Sequence, residues 1–143
     1  MPLPPNLITG RTANMAGATT RLAKPRVPRP TDRMNKTEAA YAAELDWLKS
    51  QGIVKEWRFE AITLQTAAHD PTTKRADYYR PDFFVQYAGG TLAIIEIKGH
   101  LRDDAARKFK TAASLYPMFR FTMLRKVKGE GWVVVMGEPL WHN

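Results

Sequence analysis

The chain has 143 residues, no cysteine and a formal net charge of +8. This length suits one folded domain, and the absence of cysteine excludes disulfides and thiolate metal sites and is typical of a reducing cell interior. No apolar stretch approaches the roughly 20 residues of a membrane-spanning helix, and prolines interrupt the N-terminus where a signal peptide would be continuously apolar. We therefore expect a soluble, cytoplasmic protein with no membrane partner.

The basic surplus is concentrated at the N-terminus. Residues 1–33 hold six lysine and arginine residues against Asp32 alone, together with six prolines and few large apolar side chains. This composition predicts a flexible basic arm over residues 1–33, followed by a folded domain over residues 34–143. Basic groups on such an arm are suited to contact phosphate backbones, although a solubilising tail fits the charge equally well.

The folded domain is predicted to begin with a helix over residues 35–51. Asn35 and Glu38 have the spacing of a capping box, and Gly52 follows the last helical residue. The apolar stripe of this helix comprises Tyr41, Leu45 and Leu48. This stripe indicates one buried and one exposed side.

Five strands and a second helix are predicted to follow. The strands span residues 56–65, 82–87, 91–98, 119–124 and 132–136, and the second helix begins at Asp103 and ends before Pro117. The polar residues 66–79 are predicted to form a loop. The order α-β-β-β-α-β-β favours an α/β fold, more closely a mixed α+β fold, with a central mixed sheet flanked by helices.

The second and third predicted strands form a hairpin whose loop length decides the position of Asp82. A two-residue glycine loop would pair Asp82 with Ile97 and turn its side chain to the wrong face, whereas a three-residue loop, residues 88–90, pairs it with Glu96. Glycine suits the left-handed position of the longer loop, so we predict the three-residue loop. Glu96 and Lys98 then share a face, roughly 7 Å apart along the strand.

Two carboxylates and an amine on one sheet face are suited to metal-dependent phosphodiester hydrolysis. Magnesium prefers oxygen ligands, which Asp82, Glu96 and the Ile97 carbonyl would supply, and manganese is expected to substitute. Lys98 would position water or neutralise charge on the phosphate; a role as general base requires a lowered pKa. Apolar residues on both sides of Glu96 argue against a solvent-exposed cross-strand pair.

Glu38 is a fourth candidate ligand with two open interpretations. Its spacing from Tyr41 and the rest of the apolar stripe places it on the core-facing side of the first helix, where a carboxylate needs a partner or a metal. It also stands three residues after Asn35, where glutamate commonly closes a capping box. The two roles are compatible at a helix start that opens onto the site.

These motifs, in this order, resemble the PD-(D/E)xK nuclease superfamily. A closer resemblance is to phage endonuclease I-type Holliday-junction resolving enzymes, and it covers roughly residues 35–117. The segments that carry it are Asn35-Lys36-Thr37-Glu38, Tyr79-Arg80-Pro81-Asp82-Phe83, Glu96-Ile97-Lys98-Gly99, Asp103-Asp104, Arg107-Lys108 and Tyr116-Pro117.

The resemblance implies a restriction-endonuclease-like core and a magnesium-dependent DNA endonuclease of phage-like or bacterial origin. The implied active site consists of Glu38, Asp82, Glu96 and Lys98, and the implied metal ligands are Asp82, Glu96, Ile97 and Glu38. Branched or otherwise structured DNA is the expected substrate, and junction resolution would require a homodimer.

DNA is expected to lie against basic residues around the site. The residues predicted to contact it are Lys36, Lys74, Arg75, His100, Arg102, Lys108 and Lys110. Two alternatives stay open. One is a nicking, end-processing or restriction-like nuclease with the same site, and the other is a catalytically silent nucleic-acid-binding module. The acidic residues argue against silence, since a binding-only surface gains nothing from negative charge that faces phosphate.

Overall fold

The computed structural model describes residues 33–141. Its elements are helices α1 (Lys36–Ser50) and α2 (Asp103–Leu115) and strands β1 (Val54–Phe59), β2 (Leu64–Asp70), β3 (Arg75–Tyr79), β4 (Phe83–Tyr87), β5 (Leu92–Ile97), β6 (Arg120–Val127) and β7 (Gly131–Gly137). Except for Arg33, the predicted basic arm lies outside the described residues. Arg33 forms an ion pair with Glu60, with 3.2 Å between Nη2 and Oε2.

A five-stranded mixed sheet forms the centre of the fold. Its strand order is β1-β4-β5-β6-β7, and β2 and β3 form a separate two-stranded sheet. Strands β5 and β6 run parallel, joined by α2, and the other neighbours in the central sheet are antiparallel. The predicted mixed α+β class is confirmed.

The central sheet separates two apolar clusters. Ile95 of β5 belongs to the cluster that contains Tyr41 of α1, whereas its neighbour Ile94 belongs to the cluster that contains Phe109 of α2. Because successive side chains of a strand point to opposite faces, α1 covers one face of the sheet and α2 covers the other. Glu96 shares the α2 face with Ile94.

Local signals set the helix ends. Asn35 caps α1 in a complete capping box with Glu38, as predicted. Helix α2 has two acidic residues in its first turn, where they complement the helix dipole, and it ends before Pro117. In the part of the chain that the structure describes, neither helix is long and apolar enough to cross a membrane.

The strand predicted over residues 56–65 is wrong in its length. Strand β1 ends at Phe59, and the chain leaves the central sheet at Glu60, which has a φ of 45°. A second strand, β2, begins at Leu64. Glu60 adopts a left-handed backbone although it is not a glycine, so its residue type does not mark the end of the strand. The sequence pattern therefore did not reveal this break.

The loop predicted over residues 66–79 is also wrong, because these residues form most of the β2–β3 hairpin. Most side chains of the hairpin are exposed, and the buried exceptions are Leu64 and Tyr79, in the cluster under α2. Exposed strands show little apolar alternation. The strand order along the chain is therefore α-β-β-β-β-β-α-β-β, with two more strands between the helices than predicted.

Gly137 allows β7 to approach β6 more closely than any other residue type would. Its φ is 85°, and an added Cβ would overlap the Phe121 carbonyl oxygen. We expect Gly137→Ala to lower the free energy of unfolding by about 2–4 kcal/mol, because steric overlap adds to the cost of a left-handed alanine. Urea unfolding of the full chain measures this change.

Gly129 provides the matched control for that substitution. Its φ is 84°, but an added Cβ would have no atom within 4 Å. Gly129→Ala should therefore cost only about 1 kcal/mol, the cost of the left-handed backbone alone. Equal losses in the two variants would show that the close approach at Phe121 does not matter.

Candidate active site

The register of the β4–β5 hairpin confirms the predicted three-residue loop. Phe83 lies opposite Ile95, and the third loop residue, Gly90, has a φ of 94°, which glycine adopts without steric cost. One position beyond that pair, Asp82 comes opposite Glu96. The loop length therefore brings the two predicted carboxylates together.

Hydrogen bonds hold Asp82 against the end of β5. Its amide donates to Glu96 Oε2 at 3.3 Å, and its Oδ2 accepts from the Ile97 amide at 2.8 Å. On the other side, its carbonyl accepts from the Glu60 amide at 2.8 Å. Each strand end thus offers a carboxylate to a backbone amide of the other, and the hairpin itself fixes the pair.

Tyr79 is a site residue that the sequence analysis did not single out. Its hydroxyl donates to Glu96 Oε2 at 3.0 Å, and its ring packs edge-on against Phe109 of α2. Burial, followed by the charge of Glu96 and the hydrogen bond to it, raises the pKa of Tyr79 above its usual value. The hydroxyl therefore stays protonated as a donor. The available signal was its place directly before Arg80 and Pro81, inside the supposed loop.

Lys98 shares a face with Glu96, as predicted. Its Nζ lies 2.7 Å from Glu96 Oε1, and the Glu96 side chain is 6% exposed against 33% for Lys98. Burial alone would lower the pKa of Lys98, but the hydrogen bond to Glu96 and the charges of Glu96, Asp82 and Glu38 outweigh it, so the pKa is raised. Lys98 is therefore protonated beside Glu96, which suits charge neutralisation.

Asp82 has no cation of its own among the described residues, because Lys98 is paired with Glu96. Burial, followed by the negative charge of Glu96, raises the pKa of Asp82 to about 7; Glu38 adds to this rise, while the Ile97 amide and Lys98 oppose it. Two neighbouring carboxylates here share one lysine. A proton or a metal cation would offset the remaining charge.

The donor set suits magnesium. Magnesium is usually held by one or two carboxylates and keeps several waters, and Asp82 Oδ1 accepts no hydrogen bond from residues 33–141, which leaves it open to a cation. Within those residues no group of three or more His, Cys, Asp or Glu side chains is placed to hold a metal ion. The described residues therefore offer the pair Asp82 and Glu96, and the Ile97 carbonyl as a ligand stays a prediction.

Glu38 caps α1 and borders the site. The Asn35 amide donates to Glu38 Oε2 at 2.8 Å, and Asn35 Oδ1 accepts from the Glu38 amide at 2.9 Å. The charge of Glu38 nevertheless helps to raise the pKa of both Asp82 and Lys98. The capping role is confirmed, and the role as a metal ligand stays a prediction.

A cavity of about 270 Å³ opens beside Glu96 and Lys98. It is lined by Glu96, Lys98 and, from α2, Lys108, which is one of the residues predicted to contact phosphate. Arg80 also lines it, although the sequence analysis did not name Arg80 as a DNA contact. The other predicted phosphate contacts are all exposed: Lys36, Lys74, Arg75, His100, Arg102 and Lys110.

Comparisons of this chain with family models, with curated proteins and with solved structures found no match. The geometry of the site therefore defines the class of this protein. It is a mixed α+β protein whose central sheet carries an acidic pair and an ion-paired lysine where β4 begins and β5 ends.

Proposed function

We propose that this protein is a magnesium-dependent DNA endonuclease of the PD-(D/E)xK type that hydrolyses phosphodiester bonds in branched or otherwise structured DNA. One observation carries the proposal: Asp82 and Glu96 are bound to each other's strand ends, and the Lys98 ammonium lies 2.7 Å from Glu96. Two buried carboxylates with one cation do little to stabilise a fold, because the burial of charge costs desolvation energy. The same groups are well suited to bind a metal ion and a phosphate in phosphoryl chemistry.

The chain's own residues have separable tasks in this reaction. Asp82 and Glu96 would hold magnesium or manganese, which when bound supplies an activated water and offsets charge on the phosphate. Lys98 would donate to a phosphate oxygen as negative charge develops there, since Glu96 already orients its ammonium. Tyr79 keeps Glu96 fixed through the hydroxyl hydrogen bond.

The cavity beside Glu96 and Lys98 would receive the DNA backbone. Arg80 and Lys108 line it together with Lys98, and cations at this place would fix the position of the phosphates next to the cleaved bond. The strength of such contacts falls steeply with salt, because bound phosphates release their counterions. The sequence beyond the described residues adds further positive charge at the N-terminus.

The experiment that tests this function is cleavage of labelled DNA by the full-length chain, with magnesium and with a chelator. The substrates are a four-way junction, a linear duplex of the same sequence and a single strand. We expect metal-dependent cuts in the junction and far fewer in the linear duplex. Symmetric cuts would support a homodimer, because paired cuts need two sites.

Other outcomes separate the alternatives. Equal cutting of all three substrates would leave a nuclease but remove the preference for branched DNA. Cuts confined to one strand or to the ends would favour a nicking or end-processing enzyme. Tight binding without cuts, in magnesium and in manganese, would overturn the catalytic proposal and favour a binding module.

A further inference from the structure

A second cavity lies along α2, next to the cavity that contains Glu96 and Lys98. It has a volume of about 160 Å³ and is lined by Thr66, Asp77, Arg107, Lys108 and Thr111. Lys108 lines both cavities. The two cavities together form the helix–hairpin groove, since α2 and the β2–β3 hairpin supply most of their lining.

The strand register places Asp77 on the side of the hairpin that faces α2. Asp77 shares a strand face with Tyr79, because the two are separated by one residue. The ring of Tyr79 packs against Phe109 of α2, and its hydroxyl donates to Glu96. Asp77 therefore lies on this same side, roughly 7 Å along the strand from Tyr79.

The helix period places the other wall of the groove on one side of α2. Asp104 lines the first cavity, Lys108 lines both, and Thr111 lines the second. These residues follow one another at spacings of four and three and so share one side of the helix. From Asp104 to Thr111 the helix advances about 10 Å, which corresponds to about three nucleotides of a stacked DNA strand.

The charges of the second cavity favour an anion. Its charged residues are Arg107, Lys108 and Asp77, which are all exposed, so the lining has one net positive charge. Among residues 33–141, none of the three takes part in an ion pair. Exposed cations are common on protein surfaces; these two lie in a groove that begins at the proposed reacting centre.

We propose that the helix–hairpin groove binds the DNA strand on one side of the cleaved bond, and that Arg107 contacts a phosphate about two or three nucleotides from that bond. This inference rests on the proposed nuclease function and deepens it by naming a binding subsite. Arg107 is not among the phosphate contacts predicted from the sequence. Lys108, which lines both cavities, would lie between this phosphate and the reacting one.

Binding in the presence of a chelator tests the proposal without any need for cleavage. The probes are the labelled four-way junction and the linear duplex, each titrated with the full-length chain at several salt concentrations. Arg107→Ala should weaken binding by about tenfold at low salt. It should also make the slope of log affinity against log salt shallower by about 1, since one phosphate contact is lost.

Lys55 on β1 supplies the matched control for the loss of one positive charge. Its side chain is exposed, and it follows Val54, which pairs with Tyr87 at the far end of β4 from Asp82. Lys55→Ala should change the affinity by less than about twofold and leave the salt slope unchanged. Thermal unfolding of each variant checks the fold, and Arg107→Gln repeats the test with a side chain of similar length.

Asp77→Asn is expected to have the opposite effect, because it removes a negative charge from the groove. Affinity for both probes should rise by about twofold to fivefold. Asp46→Asn is its control, since Asp46 is exposed on α1, which covers the opposite face of the sheet. Asparagine can still accept from the Trp57 indole there, so this control should keep both the fold and the affinity.

The outcomes distinguish this inference from the proposed function. Cleavage by wild-type protein, with Arg107→Ala and Lys55→Ala losing equal affinity and the same salt slope, would overturn the subsite and leave the nuclease intact. Selective loss in Arg107→Ala would support the subsite even if neither magnesium nor manganese gave cleavage. Weaker binding by a folded Asp77→Asn variant would also overturn it, since a phosphate in the groove is repelled by that carboxylate.

Discussion

Asp82→Asn is expected to abolish metal-dependent cleavage, by about a thousandfold or more, while DNA binding persists. Asparagine keeps the shape and can still accept from the Ile97 amide, so the hairpin geometry is retained. It removes the negative charge that a divalent cation requires. Single-turnover cleavage of labelled DNA measures the loss of activity. Binding of the same DNA in the presence of a chelator measures whether affinity persists.

Stability provides an internal control for Asp82→Asn. The folded-state pKa of Asp82 is about 7, above that of an unfolded carboxyl, so the folded form binds the proton more tightly and its stability falls as pH rises from about 4 to about 7. Well above pH 7 and without metal, the variant should be more stable than wild type, by roughly 1–3 kcal/mol. A less stable and inactive variant would indicate misfolding; full cleavage would show that Asp82 is not a metal ligand.

Lys98→Met is expected to slow cleavage by about a hundredfold to a thousandfold, because in the proposed reaction its cation offsets the charge that develops on the phosphate. The same change leaves the Glu96 carboxylate, 6% exposed, without its ion-pair partner. The free energy of unfolding should fall by roughly 1–3 kcal/mol, less than for a fully buried pair because Lys98 is one-third exposed. Urea unfolding and single-turnover cleavage at a temperature where the variant is folded measure the two effects.

Combining Lys98→Met with Glu96→Gln separates the structural effect from the catalytic one. Glutamine can still accept from the Tyr79 hydroxyl and carries no charge, so the double variant should regain stability. Its cleavage should be no faster than that of the Lys98→Met single variant. Wild-type rates in the Lys98→Met single variant would exclude the catalytic role assigned to Lys98.

The carboxylate pair was predictable because its determinants are local. Asp82 and Glu96 lie in one hairpin, where a glycine-containing loop sets the register and the side-chain period of two sets the face. The apolar residues on both sides of Glu96 indicated its burial. Only short-range rules were needed to place these two residues opposite one another.

The β2–β3 hairpin and Tyr79 were not predictable by the same rules. The hairpin is stabilised on one side only, where Leu64 and Tyr79 pack under α2, and α2 comes later in the chain. The hydrogen bond from Tyr79 to Glu96 spans 17 residues. Tertiary packing of this kind overrides the weak local preference of a polar segment.

The path of the chain between β1 and β4 separates the β2–β3 hairpin from the central sheet, so that the length and sequence of the hairpin can change without a change in the sheet. Phe59 and Phe83 lie opposite each other in the central sheet, and the Glu60 amide bonds to the Asp82 carbonyl where the chain returns. The β2–β3 hairpin is thus an excursion of the chain from the central sheet: the chain leaves the sheet after Phe59 and returns to it at the neighbouring Asp82.

Changes of length or sequence within this excursion therefore need not disturb the strand register that aligns the two carboxylates. The surface that this hairpin presents can therefore change while Asp82 and Glu96 keep their places in the central sheet. Grafting a different hairpin at this point would then be expected to leave the two carboxylates aligned, provided that the tyrosine bound to the buried glutamate is retained.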